Sequence, residues 1–382
     1  MSKEPMRLVD YIEKLKENHE PEKTRKKGFN DYIEIIARKK KVPLNGKFEL
    51  TPLCNLDCKM CYVHLNSTQF RKDELLPVET WKKLVDDAHA TGMLRATLTG
   101  GECLTYPGFD ELYLYMLSKG IVPSVMSNGL LINEKRVQFF KKYPPTSIQI
   151  TLYGSSDEAY EKVTGHRVFN TIYHNIEMLR DSHFKVFLTL TPSAFMRDDI
   201  RPLQEAAESL GIPYSINANL VMPRDNTGRA LEDLEVEQYI EIYKIWKEIK
   251  KEQLAPVDPA EIPDESSKGE SVYGLQCGGG SSSFTIQYNG KMAPCPSMWK
   301  ITTEPLQDGF VEAWHQLNEK VRQYPMPMEC TECVYKDCCI SCPAIHANAK
   351  NPGHCNPQIC QRTKRMVREG FIPLPGTVKE SK

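Results

Sequence analysis

The sequence lacks the features typical of exported, membrane-spanning and nucleic-acid-binding proteins. Its 49 Lys and Arg residues are balanced by 50 Asp and Glu residues, so the net charge of −1 gives no basic field for a polyanion. No apolar run approaches the about 20 residues that span a bilayer. Residues 1–5 are polar and carry no secretory signal. We therefore expect a cytoplasmic protein that binds neither nucleic acid nor membrane.

Cysteine, in contrast, is abundant and grouped. Thirteen cysteines in a chain without an export signal favour metal or redox chemistry over disulfides. Three lie at 54–61, one is Cys103, and nine follow from Cys277 onward. This grouping and the shifts in composition predict five segments: N-terminal helical (1–46), main domain (47–228), bridging helix and linker (229–276), cysteine-rich domain (277–366) and tail (367–382).

Short apolar strands alternate with amphipathic helices in the main domain. Predicted strands are 48–51, 95–99, 122–127, 147–152, 186–191 and 214–218. Predicted helices are 78–90, 109–118, 134–141, 168–180 and 199–209, preceded by 29–36 and followed by 236–251. Alternating βα units predict a parallel sheet covered by helices, with right-handed connections. The functional site of such a fold lies at the carboxyl ends of the strands.

The first predicted strand is followed by three cysteines in the pattern Cys54-x3-Cys58-x2-Cys61. Cysteine thiolates hold iron–sulfur clusters, and three local thiolates leave one iron of a 4Fe–4S cluster open to another ligand. Structural zinc is the alternative, but zinc sites are usually closed by four ligands in paired C-x2-C motifs. The spacing favours an iron–sulfur cluster.

Polar residues follow the next three predicted strands. Two glycines allow close backbone approach to a ligand, and the carboxylate after them suits an ammonium group. Polar side chains facing a barrel interior are costly unless paired, which favours a ligand over ordinary turn chemistry. The candidate binding residues are Gly100, Gly101, Glu102, Ser127, Asn128, Gln149, Thr151 and Tyr153.

The C-terminal cysteines have their own spacing. The pattern is Cys277-x12-Gly290-x4-Cys295, then Cys330-x2-Cys333-x5-Cys339-x2-Cys342, then Cys355-x4-Cys360. Residues 283–293 predict a β-hairpin with an Asn-Gly turn, which brings Cys277 and Cys295 together. The loop between the two C-x2-C pairs is shorter than the roughly fifteen residues of a zinc ribbon. Iron–sulfur ligation is again favoured.

These motifs together resemble those of the radical S-adenosylmethionine (SAM) enzymes that carry a C-terminal SPASM domain. Similar members include ribosomal-peptide maturases and anaerobic sulfatase-maturing enzymes. The resemblance implies an α/β fold: a partial (β/α)6 TIM-type barrel followed by a cysteine-rich SPASM domain with a small β-hairpin. It also implies a 4Fe–4S cluster on Cys54, Cys58 and Cys61, whose open iron chelates SAM. Reduction then cleaves SAM to a 5′-deoxyadenosyl radical, which abstracts a hydrogen from the substrate.

The SPASM resemblance implies two auxiliary 4Fe–4S clusters, hence three clusters in all. The implied ligands are Cys277, Cys295 and Cys342 for the first auxiliary cluster, and Cys330, Cys333, Cys339 and Cys360 for the second. The fourth ligand of the first auxiliary cluster is left open. The candidates are Cys355, Cys338, a carboxylate and a substrate thiol. Cys103 stands where the family usually has proline, and we expect it to be a small buried residue.

Other site residues follow from the resemblance. The residue before the third cysteine, usually aromatic in the family, is Met60 here, and Tyr62 lies just after that cysteine. The resemblance implies that the strand-end residues named above and Tyr62 line the SAM pocket. Candidates for a catalytic base or radical quencher are Tyr153, Asp157 and Arg224.

The function implied is oxidative modification of a ribosomally made peptide, by a thioether or carbon–carbon crosslink. An external one-electron reductant of flavodoxin or ferredoxin type is implied as partner. Alternatives are formylglycine formation as in sulfatase maturation, peptide epimerisation, small-molecule dehydrogenation, and electron transfer without turnover. The first is disfavoured because Thr164 stands where sulfatase-maturing members carry an arginine.

The segment before the barrel is shorter than the roughly 80 residues of a winged-helix peptide-recognition domain. We therefore expect that a separate leader-binding protein, or the surface of the barrel itself, captures the leader of a peptide substrate.

Overall fold

A parallel sheet provides the framework of the computed structural model, which describes residues 28–66, 68–218, 220–221, 223–224, 234–251, 277–348 and 353–373. The strands are β1 (Asn45–Glu49), β2 (Arg95–Thr99), β3 (Ser124–Ser127), β4 (Ile148–Leu152), β5 (Val186–Leu190) and β6 (Tyr214–Ile216). They lie side by side in chain order and run parallel, as expected for the partial barrel. β1 begins before the predicted Phe48, because Asn45 already pairs with Arg95.

Helices cover the outer face of this sheet. They are α1 (Phe29–Lys40), α2 (Val78–Ala90), α3 (Phe109–Ser118), α4 (Glu134–Lys142), α5 (Asp157–Thr164), α6 (Phe169–Asp181), α7 (Ile200–Ser209) and α8 (Val236–Lys250). In α2, apolar residues recur at helical spacing from Trp81 to Ala88 and are buried. The Trp81 ring packs edge-on against Phe48 of β1, with centroids 6.3 Å apart. The expected βα alternation is confirmed.

The inner face of the sheet is more polar than the outer face. In β4, Ile148, Ile150 and Leu152 are buried, whereas Gln149 and Thr151 between them are partly exposed. Successive side chains of a strand point to opposite faces. The two polar side chains therefore line the barrel interior, on the face predicted to meet a ligand.

The C-terminal region extends this sheet. β7 (Ser283–Ile286) and β8 (Met292–Ala293) form the predicted antiparallel hairpin, with Gly290 at a φ of +82° in its turn. Beyond the prediction, β7 pairs in parallel with β1, placing Ser283 opposite Asn45. Within the described residues the sheet therefore has eight strands, in the order β6-β5-β4-β3-β2-β1-β7-β8.

Further helices follow the hairpin, and Phe310 and Trp314 belong to the same core as Phe284. They are α9 (Pro305–Asp308), α10 (Phe310–Arg322), α11 (Met328–Thr331), α12 (Pro343–Asn348) and α13 (Pro357–Arg368). Trp314 of α10 is buried, packs edge-on against Phe284 and donates from its indole nitrogen to Lys41 O at 2.7 Å. Among the described residues, no helix has both the length and the apolar composition to cross a bilayer. The predicted linker between α8 and the hairpin lies outside the described residues.

Candidate functional site

The loop that carries Cys54 and the Gly-Gly-Glu loop after β2 are in direct backbone contact. Gly101 N donates to Thr51 O at 2.6 Å, and Glu102 N donates to Leu53 O at 3.0 Å. A Cβ added to Gly101 would lie 2.4 Å from Leu53 O, closer than real Cβ atoms come. Glycine is therefore required here by the close approach of two backbones, and that approach brings the two motifs together.

The carboxylate of Glu102 is completely buried and joins β2 to β3. It accepts hydrogen bonds from Asn128 N at 2.7 Å, from Leu104 N at 3.1 Å and from Ser127 Oγ at 3.0 Å. Burial raises the pKa of Glu102 above its ordinary value, although these hydrogen bonds oppose the shift. The carboxylate thus organises two strand ends, and its contact with the SAM ammonium stays a prediction.

Asn128 extends this network back to the cysteine loop. Its Nδ2 atom donates to Asn55 Oδ1 at 2.7 Å and lies 3.5 Å from Cys54 Sγ, while its Oδ1 accepts from Leu130 N at 3.0 Å. The predicted strand-end residues after β2 and β3 therefore converge on the first cysteine. Asn55 was not singled out from the sequence, where its position beside Cys54 is the only signal for it.

The three cysteines of this loop are reduced thiols in a largely buried setting. Burial raises the pKa of Cys54 to about 12 and also raises that of Cys58, and the charges of neighbouring thiolates act in the same direction. Thiolates so placed need a strong positive charge to become stable ligands, and the irons of a cluster supply it. The donor set therefore fits a 4Fe–4S cluster.

A cluster and a single metal ion place their ligands differently. Within the part of the chain that the structure describes, no group of three or more His, Cys, Asp or Glu side chains is arranged to hold one ion. In a 4Fe–4S cluster each thiolate binds a different iron, so its cysteines stand farther apart than the ligands of one zinc ion.

Tyr153, which directly follows β4, approaches the same loop. The Tyr153 side chain hydrogen-bonds to the Cys58 thiol, and burial raises the pKa of Tyr153 well above its ordinary value. Gln149 Nε2 donates to Thr189 Oγ1 at 2.8 Å, and Thr151 pairs with Thr189 across β4 and β5. Of the predicted β4 set, Tyr153 thus lies against the cysteines, whereas Gln149 is tied to the neighbouring strand.

Asp157, a candidate catalytic residue, makes a structural contact between two helices. Its carboxylate accepts from Asn170 N at 3.2 Å and from Asn170 Nδ2 at 3.0 Å. These bonds join the first residue of α5 to the start of α6. The structure thus gives Asp157 a capping contact between two helices, and its catalytic role stays a prediction.

Cys103 lies beside the network but not among the cysteine ligands of the loop. It is fully buried, and its Sγ donates to Met126 O at 3.3 Å. Burial raises the pKa of its thiol well above the ordinary value, so the thiol stays protonated. This matches the small buried residue expected at this position.

Arg224, another candidate catalytic residue, is paired within the chain. Its Nη1 and Nη2 atoms lie 2.7 Å and 2.8 Å from the two carboxylate oxygens of Glu49, and both side chains are buried. The guanidinium also lies over the Tyr62 ring, with Cζ 5.8 Å from the ring centroid. Glu49 was missed from the sequence, where a carboxylate between the apolar Phe48 and Leu50 was its signal.

The C-terminal cysteines form two neighbourhoods. In the first, Cys295 interacts electrostatically with Cys342 and Cys277, and burial raises the pKa of its thiol to about 11. Because these three cysteines come from the hairpin region and the start of α12, they converge only in the folded chain. This is the trio that the resemblance implied for the first auxiliary cluster.

The second neighbourhood contains more thiols than one cluster needs. Cys355 hydrogen-bonds to the thiols of Cys330 and Cys360, and the bond to Cys330 is the main cause that raises its pKa to about 12. Cys338 interacts electrostatically with Cys339 and Cys333. Cys355, one candidate for the fourth ligand of the first auxiliary cluster, thus lies among the implied ligands of the second.

Known proteins share these features. The model of the Radical SAM superfamily matches residues 48–210, which contain the cysteine triplet, Gly-Gly-Glu and Ser127-Asn128. The antilisterial bacteriocin subtilosin biosynthesis protein AlbA of Bacillus subtilis is 26% identical over 267 residues, 66% of this chain and 55% of AlbA. The chain therefore spans little more than half the length of AlbA.

One further relative and one solved structure match over more of their length. An AdoMet-dependent heme synthase of Methanosarcina barkeri is 25% identical over 317 residues, which cover 78% of this chain and 90% of that protein. The crystal structure of Streptococcus suis SuiB bound to its precursor peptide SuiA aligns with a TM-score of 0.64 at 16% identity, covering 92% of this chain and 86% of SuiB. At that identity the SuiB likeness shows the shared fold.

Proposed function

Since residues 48–210 form a radical SAM domain, we propose that this protein is an enzyme that modifies a ribosomally made peptide by radical chemistry. The observation that carries the proposal is the convergence of three strand ends on Cys54. Glu102 accepts from Asn128 N, and Asn128 Nδ2 reaches Asn55 and Cys54. In the proposed arrangement SAM lies between the cluster and these polar strand ends, and their closeness to Cys54 supports that placement.

The chain's own residues prepare the site for its cofactors. Cys54, Cys58 and Cys61 would hold a 4Fe–4S cluster and leave one iron for the amino and carboxylate groups of SAM. Bound there and reduced, such a cluster would supply the electron for the cleavage of SAM. Cys58 is buried, and Tyr153 hydrogen-bonds to its thiol, a contact that would tune the cluster through a ligand sulfur.

A peptide substrate is supported by the shape and polarity of the barrel interior. Phe187 on β5 is 39% exposed, and the polar Gln149 and Thr189 lie next to it on the inner face of the sheet. An extended peptide presents both apolar side chains and backbone hydrogen-bonding groups, and this surface matches both. AlbA and SuiB, whose names and ligands concern a bacteriocin and a precursor peptide, agree with that substrate class.

The C-terminal thiols support an oxidative outcome. Two auxiliary 4Fe–4S clusters, held as the SPASM resemblance implies, would accept the electron that a substrate radical loses when a thioether or carbon–carbon bond forms. An external flavodoxin- or ferredoxin-type reductant in the cytoplasm would feed the first cluster. A separate leader-binding protein, or the surface of the barrel, would deliver the peptide.

The test is anaerobic reconstitution with iron and sulfide, followed by reduction in the presence of SAM. We expect about twelve irons per chain, four for each of three clusters, and release of 5′-deoxyadenosine. A Cys54→Ala, Cys58→Ala, Cys61→Ala variant should lose about four irons and all SAM cleavage. Short peptides encoded beside the gene of this protein are the substrates to test. After incubation with the reconstituted wild-type protein, mass spectrometry should detect the loss of two hydrogens from the peptide. Full iron loading without SAM cleavage would support an electron carrier instead.

A second candidate is oxidation of a small molecule. It is favoured by the heme synthase of Methanosarcina barkeri, because the match covers 90% of that protein's length. The discriminating measurement supplies the reconstituted protein with either a peptide or an iron porphyrin carrying propionates. Consumption of the porphyrin, coupled to 5′-deoxyadenosine release, would establish this alternative in place of the peptide.

A further inference from the structure

The Glu49–Arg224 pair is an unusual feature for a barrel interior. The Arg224 side chain is 6% exposed and that of Glu49 is 1% exposed. Burial lowers the pKa of Arg224, but the adjacent Glu49 carboxylate outweighs this effect and raises the pKa, so the guanidinium stays charged. Buried ion pairs rarely stabilise a fold better than apolar residues of the same size. A role in geometry therefore explains the pair better than a role in stability.

Arg224 makes contact with both cysteine-bearing regions. Its backbone N donates to Tyr62 O at 3.1 Å, and Tyr62 directly follows Cys61. Its Nη2 donates to Pro296 O at 2.9 Å, and Pro296 directly follows Cys295. Arg224 thus bonds to a residue next to a cysteine in both groups. More than two hundred residues of sequence separate Cys61 from Cys295.

Tyr62 fills the space at this junction. Its ring lies under the guanidinium, and its phenol interacts electrostatically with Glu49, Arg224, Cys295 and Cys61. The Nε atom of Arg224 is buried and has no hydrogen-bond partner among the described residues. A buried donor without an acceptor is costly, so it points to a group that enters the junction when the protein is loaded.

We propose that Arg224 is a positioning residue that fixes the Cys277–Cys295–Cys342 group relative to Cys54, Cys58 and Cys61, and that its Nε–H donates to the cluster bound by Cys295. Glu49 fixes the orientation of the guanidinium plane. The guanidinium then donates to Glu49, to Pro296 O and to the cluster at the same time. This inference rests on the proposed function, because it assumes that both groups hold clusters. The separation of two redox centres sets electron transfer between them, so the junction controls whether a substrate radical is oxidised.

Arg224→Lys is the informative variant. Lysine keeps the charge but lacks the rigid, five-donor fork, so it does not serve Glu49 and Pro296 in the same geometry and carries no Nε–H. Glu49→Gln is the second variant, because it leaves the fork in place and removes the charge that orients it. Arg201→Lys is the matched control, because Arg201 pairs with Glu248 at an exposed site.

The measurements need no substrate: iron per chain, the midpoint potential of each cluster by redox titration, and spin relaxation between clusters by electron paramagnetic resonance. We expect Arg224→Lys to retain its iron, to shift the potential of one auxiliary cluster and to weaken its coupling to the SAM-binding cluster. Glu49→Gln should change the same signals, and Arg201→Lys none. With substrate, product per 5′-deoxyadenosine should fall at least about tenfold.

Two results would overturn the inference. Unchanged potentials and coupling in both variants would show that the junction does not position the clusters. Equal loss of iron from every cluster would show that the pair only holds the fold together. If the wild-type protein binds its clusters but does not cleave SAM, the proposed function fails, while the comparison of potentials still decides the role of Arg224.

Discussion

The backbone N–H of Asn128 donates to Oε2 of Glu102 over 2.7 Å, inside a region closed to water. One carboxylate therefore sets the distance between the end of β2 and the end of β3. Because the same asparagine reaches Asn55 through its side chain, this bond also links the end of β3 to the cysteine loop. Four predictions test this site and its surroundings.

Glu102 should make stability depend on pH. Because its pKa is raised by burial, the folded protein holds the proton more tightly than the unfolded chain, whose Glu pKa is near 4.5. Its contribution is complete below that value and is lost as pH rises through the folded pKa, at about 1.4 kcal/mol for each pH unit that separates the two pKa values. In the metal-free protein, the free energy of unfolding should therefore fall less steeply with rising pH in Glu102→Gln than in wild type.

The matched control for that titration is Glu248→Gln. Arg201 lowers the pKa of the exposed Glu248, so this substitution should change the pH slope in the opposite direction. Identical slopes in wild type and Glu102→Gln would contradict the burial of a carboxyl whose pKa is raised.

Asn128→Ala should weaken the link between β3 and the cysteine loop. The variant loses the donor to Asn55 Oδ1, at about 0.5–1.5 kcal/mol of unfolding free energy. Because the loop is then less well placed, we expect SAM cleavage to fall about tenfold or more while iron stays bound. Asn318→Ala, which removes a bond to a helix carbonyl, is the control. Equal SAM cleavage in the two variants would exclude a role for Asn128.

Gly101→Ala should be destabilising, because the new Cβ would lie 2.4 Å from a backbone oxygen of the cysteine loop. Neither backbone can move without breaking the bond from Gly101 N to Thr51 O. Overpacking of this kind costs about 1–3 kcal/mol, which chemical denaturation can measure. Gly353→Ala, which has no heavy atom within 4 Å of its added Cβ, should be neutral. A neutral Gly101→Ala would mean that the two loops are not in contact.

Oxidation should report where Cys355 lies. Its thiol is hydrogen-bonded to those of Cys330 and Cys360. When ferricyanide removes two electrons and two protons leave, we expect the metal-free protein to form a disulfide from Cys355 to one of those two residues. Peptide mapping by mass spectrometry identifies the partner. A bond from Cys355 to Cys277, Cys295 or Cys342 would instead place it with the first auxiliary group.

Local patterns in the sequence predicted most of the strands and helices of the sheet framework. β2 and the helix from Val78 to Ala90 have the predicted bounds, because an apolar period of two or of about 3.6 residues is a local property. The placement of Glu102, Asn128 and Cys54 at one end of the sheet also followed, since the carboxyl ends of parallel strands meet at one edge.

Pairings between residues far apart in the chain could not be predicted from local sequence patterns. The pairing of β7 with β1 depends on contacts such as Asn45 N to Ser282 O at 3.0 Å, between residues far apart in sequence. The partner of Arg224 was equally hidden, because an arginine in a polar turn is usually solvated, and only the folded chain brings Glu49 beside it. Such features depend on the assembled core rather than on any local period.

The pairing of β7 with β1 has a consequence for evolution and engineering. A fragment that ends before Ser283 would leave β1 with a bare edge of unsatisfied N–H and C=O groups, which invites aggregation. The cysteine-rich half is therefore not a detachable module. A chimera that exchanges it between relatives must carry the hairpin together with the register that seats Ser283 opposite Asn45.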